Sequence, residues 1–221
     1  LRAGGTAGLT FTIDNISLRK AEPDRSVNNN GLNIVGDIPK TAVATGAELV
    51  SYGSFHVSSR RLIQPYNSDL DFGTGDFTIM SWAKPTQLGD LRVIASRYAD
   101  NGADPEWSLR KLADNTFSFT GNIGVSVNSG GTAELNKWHH VVATRENGVV
   151  YLYVDGALVG SVSYPNDLTN TSAPLYIGGI NNNVSQYFGW YGNLALFRIS
   201  ATAPTAEQIA KIYRDEQPLF Q

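Results

Sequence analysis

The sequence lacks several features that define common classes of protein. It contains no cysteine, which excludes disulfide bonds, thiolate metal sites and a cysteine nucleophile. No apolar run approaches the roughly 20 residues of a membrane-spanning helix. The formal net charge is −3 at pH 7 and no basic stripe is present, so nucleic acid and anionic membranes are poor partners. An uncharged ligand suits this composition better.

The beginning of the sequence also lacks a targeting signal. Leu1 is followed by neither a basic segment nor the apolar stretch of a signal peptide. We therefore expect the chain to be a fragment or a processed piece of a longer protein. Residues 1–23 contain an alternating apolar pattern and are predicted to be a strand segment or the remnant of an upstream module. Residues 24–221 are predicted to form the main domain.

The clearest pattern present lies between residues 138 and 160. Asn147-Gly148 and Asp155-Gly156 readily take the positive φ angles of tight hairpin turns, which predicts three antiparallel strands in fixed register. Val142 is expected opposite Tyr153, and Leu152 opposite Val159. Alternation then gives one aliphatic face, expected in a core, and one mixed face. The mixed face, which could line a wet groove or be covered by loops, comprises Trp138, His140, Val142, Thr144, Tyr151, Tyr153 and Leu158.

Short strands separated by turn residues occur along most of the remaining chain. Besides the central three, they are predicted at 32–35, 48–55, 77–84, 92–97, 107–112, 116–120, 123–127, 174–180 and 194–199. Thr205-Ala206-Glu207-Gln208 has the form of a helix capping box. The pattern predicts an all-β fold, an antiparallel two-sheet jelly-roll sandwich with one short C-terminal helix.

Several short motifs, in this order, resemble laminin-G-like, concanavalin A-like lectin domains. They are the Asn-rich segment 24–31, the stretch 70–79 (LDFGTGDFTI), Trp138-His139-His140-Val141 with 152–156 (LYVDG), and 176–179 (YIGG) with 192–198. The resemblance covers residues 24–216 and implies a jelly roll of one concave and one convex sheet. It also implies extracellular or virion-surface adhesion, usually to glycans and sometimes to proteins.

The segment 1–35 is similar in style to tandem modules of bacteriophage tail proteins. That resemblance implies a tail-fibre or receptor-binding role, a glycan on a host cell surface as the partner, and a homotrimer.

The resemblance also raises the question of calcium. Members that bind Ca²⁺ often have an Asp in the last strand where this chain has Ala195. Calcium prefers six to eight oxygen ligands, usually including carboxylates, so this loss counts against an inherited site. Asp24 and Asn30 are the remaining candidate Ca²⁺ ligands, and the alternative is that their side chains cap turns.

The sequence offers little for catalysis. Glucanases with this fold use two carboxylates about 5 Å apart, and the pairs Asp69 with Asp71 and Asp104 with Glu106 lie beside turns or in a loop. Polysaccharide lyases with this fold need a base, commonly His or Tyr, beside an Arg or Gln, and His140 with Tyr151 or Tyr153 could supply only part of that set. No phosphate loop, nucleophile elbow or zinc-protease motif is present, so we expect no enzymatic activity.

Sugar binding needs an aromatic face together with groups that hydrogen-bond hydroxyls. Two loops supply this mixture. The expected ligand-binding residues are Arg97, Tyr98, Asp100, Asn101 and Trp107 in the first, and Asn181, Asn182, Asn183, Gln186, Tyr187 and Trp190 in the second. For Trp190 the alternative is a place in the core.

The sequence therefore predicts a non-catalytic carbohydrate-binding adhesion module. Two alternatives stay open: a structural or oligomerisation domain without a ligand, and a module of a polysaccharide lyase or glycoside hydrolase.

Overall fold

The part of the chain that the structure describes contains fourteen strands, which form two sheets. The structure is a computed structural model that describes residues 31–57, 59–97, 106–180 and 188–221. The strands are β1 (Asn33–Val35), β2 (Lys40–Ala42), β3 (Val50–Gly53), β4 (Arg61–Gln64), β5 (Phe77–Pro85), β6 (Arg92–Arg97), β7 (Trp107–Lys111), β8 (Thr116–Gly121), β9 (Ser126–Thr132), β10 (His139–Glu146), β11 (Val149–Val154), β12 (Ala157–Ser163), β13 (Leu175–Ile177) and β14 (Gly192–Ser200).

Each sheet contains seven strands. The first, sheet A, has the order β1-β4-β13-β6-β7-β8-β9, and the second, sheet B, has the order β12-β11-β10-β5-β14-β3-β2. Every pairing between neighbouring strands is antiparallel. The predicted antiparallel two-sheet sandwich is confirmed.

The two central turns form as predicted. Asn147 and Gly148 have φ of 50° and 75°, and Asp155 and Gly156 have φ of 51° and 78°. Val142 pairs with Tyr153 as expected. The predicted pairing of Leu152 with Val159 is wrong, because a bulge after Leu152 shifts its partner to Gly160. Such an extra residue leaves no trace in apolar alternation.

Alternation along β5 separates the core from the outer face of sheet B. Phe77, Ile79 and Ala83 point into the core between the sheets, where the aliphatic side chains of β10 and β11 join them. Met80 and Trp82 belong to smaller clusters on the opposite face.

Most of that opposite face, which includes the mixed face of the central strands, is covered by a helix rather than left as a groove, and Leu158 at its edge is 53% exposed. Helix α1 (Ala206–Glu216) places Ile209 against Val142 and Tyr153. Tyr213 stacks near Trp82 at 5.7 Å between ring centroids, and Phe220 stacks on the same indole at 4.1 Å. The covered alternative is confirmed, with a helix as the cover in place of loops.

The capping box of α1 is present. The Thr205 side chain accepts a hydrogen bond from Gln208 N, and the Gln208 side chain accepts one from Thr205 N. We expect Thr205→Ala to lower the free energy of unfolding by about 1 kcal/mol. Urea denaturation would measure this, and Thr202→Ala provides a control outside the box. An unchanged midpoint for Thr205→Ala would show that the cap does not contribute to stability.

Most of the predicted strands match an observed strand to within two residues at each end. The pattern missed β2 and β4, and the predicted strand at 123–127 is instead a 3₁₀ turn (Asn122–Gly124) followed by β9. The predicted strand and domain boundary within residues 1–23 lie outside the described residues and stay predictions. No helix in the described ranges is long and apolar enough to cross a membrane.

Candidate functional site

The two predicted ligand loops attach at opposite ends of β6. The first leaves the end of β6 at Arg97. The second returns at Phe188, whose carbonyl accepts a hydrogen bond from Val93 N near the beginning of β6. Val93 and Arg97 are four positions apart along the strand, or about 13 Å. The anchoring residues therefore belong to two separate regions, although the sequence alone placed both loops in one list of ligand residues.

At the first end, Arg97 and Trp107 are buried completely. The guanidinium of Arg97 donates hydrogen bonds to the carbonyls of Leu70, Leu168, Asn170 and Ala173 and to the carboxylate of Asp71. The prediction that Arg97 and Trp107 bind a ligand is therefore corrected, because both side chains are buried inside the fold. Arg97 fastens neighbouring loops to the sheet, and Trp107 fills the core.

The acidic residues at this end also have internal partners. Asp71 accepts hydrogen bonds from Arg97, Asn170 N and Tyr66. Burial acts to raise the pKa of Asp71, but these hydrogen bonds outweigh it and hold the pKa below its ordinary value. Glu106 Oε1 accepts a hydrogen bond from Asn170. These contacts favour a structural role for Asp71 and Glu106 over a role as catalytic carboxylates.

The two central histidines are likewise enclosed. His139 Nδ1 lies 2.9 Å from Asp155 Oδ2, and His139 Nε2 accepts a hydrogen bond from Glu134 N. His140 is 1% exposed beneath α1, 5.2 Å from Trp82 between ring centroids. A polymer cannot reach His140 as a general base while α1 is in place.

At the second end, the chain after residue 187 is fixed to both sheets. Phe188 bonds to β6, Trp190 N donates to Gly178 O, and Thr86 N donates to Tyr191 O. Trp190 is fully buried in the core, so the expectation that its ring meets a ligand is wrong and the core alternative holds. Gly192 has φ of 133°, and a Cβ there would lie 1.9 Å from the Lys84 carbonyl oxygen, which makes glycine necessary.

Next to these anchors lies a pair of stacked rings. The rings of His56 and Tyr191 have centroids 4.6 Å apart and an interplanar angle of 10°. Arg92 Cζ is 4.4 Å from the centroid of Tyr191. His56 is exposed, and Tyr191 and Arg92 are half-buried.

Charged and amide groups adjoin the ring pair. Asp90 forms an ion pair with Arg92 and accepts a hydrogen bond of 2.8 Å from Gln87 Nε2. Lys111 Nζ donates to Asp90 O at 2.7 Å. Burial lowers the pKa of Lys111, and the nearby Asp90 opposes this only in part. Arg92 Nε has no hydrogen-bond partner among the described residues. We call His56, Tyr191, Arg92, Asp90 and Gln87 the ring-pair cluster.

The remaining predicted site residues lie outside the described residues. They are Tyr98, Asp100 and Asn101 in the first loop, Asn181, Asn182, Asn183, Gln186 and Tyr187 in the second, and the candidate calcium ligands Asp24 and Asn30. The ranges that the structure describes contain no group of three or more histidine or acidic side chains arranged to hold a metal ion.

Sequence reasoning missed four members of the ring-pair cluster. Tyr191 directly follows Trp190, the last ligand-binding residue predicted in the second loop, whereas His56 was not among the predicted ligand residues. Arg92, Asp90 and Gln87 were not singled out. Their separation from Tyr191 along the chain leaves no local signal, because these side chains meet only through the tertiary fold.

Comparison with known proteins supports the architecture. Chains similar in structure include the binding domain of Paraclostridial Mosquitocidal Protein 1, with 18% identity, a TM-score of 0.67, and coverage of 87% of this chain and 49% of that chain. The binding domain of Botulinum Neurotoxin DC has 16% identity, a TM-score of 0.62, and coverage of 86% and 48%. A mutant Trypanosoma rangeli sialidase has 14% identity, a TM-score of 0.60, and coverage of 86% and 30%.

This chain therefore spans less than half the length of these solved structures, and at such identities the likeness concerns the fold. No curated protein matches the chain in sequence. A family model of laminin G type, described as the concanavalin A-like lectin/glucanases superfamily, matches residues 63–210. Together with the two seven-stranded sheets, this match shows that the chain belongs to the laminin-G-like branch of the concanavalin A-like lectin/glucanases superfamily.

Proposed function

We propose that this chain is a non-catalytic carbohydrate-binding module and that a glycan binds at the ring-pair cluster. The observation that carries the proposal is the stack of the exposed His56 on the half-buried Tyr191, next to Arg92, Asp90 and Gln87. The rings offer apolar surface to the C–H face of a sugar. The guanidinium, carboxylate and amide offer donors and acceptors for hydroxyl groups.

The neighbouring loop supplies further groups of the same chemistry. Asn181, Asn182, Asn183, Gln186 and Tyr187 lie in sequence between Ile180 and Phe188. Phe188 is hydrogen-bonded to Val93, the residue after Arg92 of the cluster. Loops on a rigid sandwich commonly carry binding residues. We include these five residues in the proposed site.

The similar structures support a glycan partner. One is a botulinum neurotoxin binding domain in complex with SialylT, and another concerns botulinum neurotoxin type C entry, which depends on two ganglioside molecules. Those statements apply to those proteins. For this chain, the same partner class is a proposal, as are a host cell surface, an extracellular or phage-tail location, and a trimer in a tail fibre.

A glycan array with the wild-type chain and the variant Tyr191→Ala tests the proposed site. We expect the variant to bind at least about tenfold more weakly, a change of about 1.4 kcal/mol, because one ring and the support for His56 and Arg92 are lost. Tyr187→Ala should weaken binding in the same direction.

Tyr66→Ala is the matched control, since Tyr66 is an exposed tyrosine beside Arg97 at the opposite end of β6. This control should bind as the wild type does. Thermal unfolding separates loss of binding from loss of fold. Normal binding by Tyr191→Ala would refute the site, and a wild-type chain that binds no glycan would refute the function.

A further inference from the structure

An apolar cavity of about 370 Å³ opens between the two sheets. Leu62 and Ile177 form its wall on the side of sheet A, and Tyr52 and Leu194 form part of its wall on the side of sheet B. Every lining side chain is aliphatic or aromatic, and the single side-chain polar group is the hydroxyl of Tyr52. A sugar placed inside would lose hydrogen bonds to water without replacing them.

Exposed apolar residues occur at the boundary of this cavity. Leu32 and Val50 line it, and they are 44% and 41% exposed. Ile34, on the adjoining strand β1, is 59% exposed. Lone exposed apolar residues are ordinary on a protein surface, whereas a group beside an apolar cavity indicates a binding site.

The backbone of β14 is irregular where it borders the cavity. The register between β14 and β5 shifts between Ala195 and Arg198, and Leu196 within the shift has φ of 47°. This left-handed conformation is unfavourable for leucine. Leu196 and Phe197, at this shift, both line the cavity.

Two segments of the chain contribute both to the cavity and to the surroundings of the ring-pair cluster. Phe55 lines the cavity, and the next residue, His56, stacks on Tyr191. Ile177 also lines the cavity. The carbonyl of the next residue, Gly178, accepts a hydrogen bond from the backbone N–H of Trp190, which is the residue before Tyr191. A Cβ on Gly178 would come within 2.2 Å of the Phe55 ring, so these two segments are in close contact.

From this arrangement we propose that the chain binds amphiphilic glycosides, with the sugar at the ring-pair cluster and the apolar chain of the aglycone in the cavity. The proposal rests on the glycan-binding function above and specifies its ligand class. The cavity volume falls within the range of small-ligand sites, which are mostly apolar with a few polar groups at one side. An alkyl or acyl chain gains from leaving water in such a cavity.

Octyl β-D-glucopyranoside below its micelle concentration, compared with methyl β-D-glucopyranoside, tests this proposal by calorimetric titration. The two probes share a sugar and differ in the chain. We expect the octyl compound to bind at least about tenfold more tightly, since several methylene groups become buried. Equal affinity of the two compounds, or no heat from either, would overturn the proposal.

A substitution at the cavity locates the chain. Val50→Trp should narrow the opening and abolish the preference for the octyl compound, and Leu158→Trp on β12 is the control, because Leu158 is 53% exposed and does not line the cavity. If both variants keep the preference, the cavity is not the site. Val50→Asp repeats the test with a charge in case the tryptophan variant does not fold.

The glycan array distinguishes this proposal from the glycan-binding function on which it rests. Array glycans without an apolar group should bind Val50→Trp as they bind the wild type. Array binding without an octyl preference would refute only the apolar-chain proposal. An array without binding would refute the function itself.

Discussion

Replacing Arg97 with methionine should lower the free energy of unfolding by about 3–5 kcal/mol. The guanidinium is fully buried, and it satisfies four backbone carbonyls and the carboxylate of Asp71. Methionine retains apolar volume but removes the Arg97 donors to the four carbonyls and the charged partner of Asp71, and a buried unsatisfied acceptor costs its full desolvation. Urea denaturation followed by tryptophan fluorescence would measure the loss.

Two controls clarify the cause of that loss. Arg97→Lys keeps the positive charge but cannot reproduce the planar fork of donors, so its stability should lie between those of the wild type and the methionine variant. Arg60→Met replaces a partly buried arginine elsewhere in the chain and should have a smaller effect. If Arg97→Met has wild-type stability but weaker glycan binding, Arg97 is a ligand residue and its structural assignment is wrong.

Lowering the pH from 7 to 4 should destabilise the fold by up to about 3 kcal/mol through His140. Burial lowers the pKa of His140 from 6.5 to about 4, and the Glu216 carboxylate opposes this only in part. The unfolded chain therefore binds a proton at a higher pH than the folded chain does. The free energy of unfolding is constant above the unfolded pKa and decreases by about 1.4 kcal/mol per unit until the folded pKa is reached.

The surroundings of His140 make the effect attributable to this residue. Neither ring nitrogen has a hydrogen-bond partner in the described structure, and Trp82 of β5 and Tyr213 of α1 lie against the ring. The charged groups that act on it are Glu216 of α1, Arg198 of β14 and Asp155 of the turn before β12. Four carboxyl groups have lowered pKa values in the folded chain, so the stability that they contribute is lost as they become protonated at more acidic pH. They are Asp71, Asp114, Asp167 and Glu207.

Denaturation midpoints at pH 7, 5.5 and 4.5 would test this dependence. His140→Phe should flatten it, because phenylalanine fits an aromatic site and binds no proton. His56→Phe is the control, since His56 is exposed. An equal slope for the wild type and His140→Phe would show that the proton binds elsewhere.

Local chemistry explains which parts of the fold were predictable. The Asn147-Gly148 and Asp155-Gly156 turns and the capping box at Thr205 each depend on a few consecutive residues, so the sequence identifies them directly. The alternation of β5 was readable because one face is buried against a core. The bulge after Leu152 and the three-residue strand β2 depend on neighbouring strands, which the sequence pattern does not contain.

The site was harder to predict for the same physical reason. Arg97, Trp107 and Trp190 have the residue types of a sugar-binding loop, and only their tertiary partners make them structural. Acceptors for Arg97 come from residues 70 and 168–173, far along the chain. The His56–Tyr191 stack likewise joins segments from separate parts of the sequence.

The placement of the two loops at opposite ends of β6 has a consequence for protein engineering. Substitutions in regions more than about 10 Å apart usually have additive effects on stability. If residues 181–187 bind the ligand as proposed, a combinatorial library confined to them would vary the binding residues and leave the residues of the Arg97 network at the far end unchanged. Selected variants could then be combined with stabilising changes at that far end, each optimised on its own.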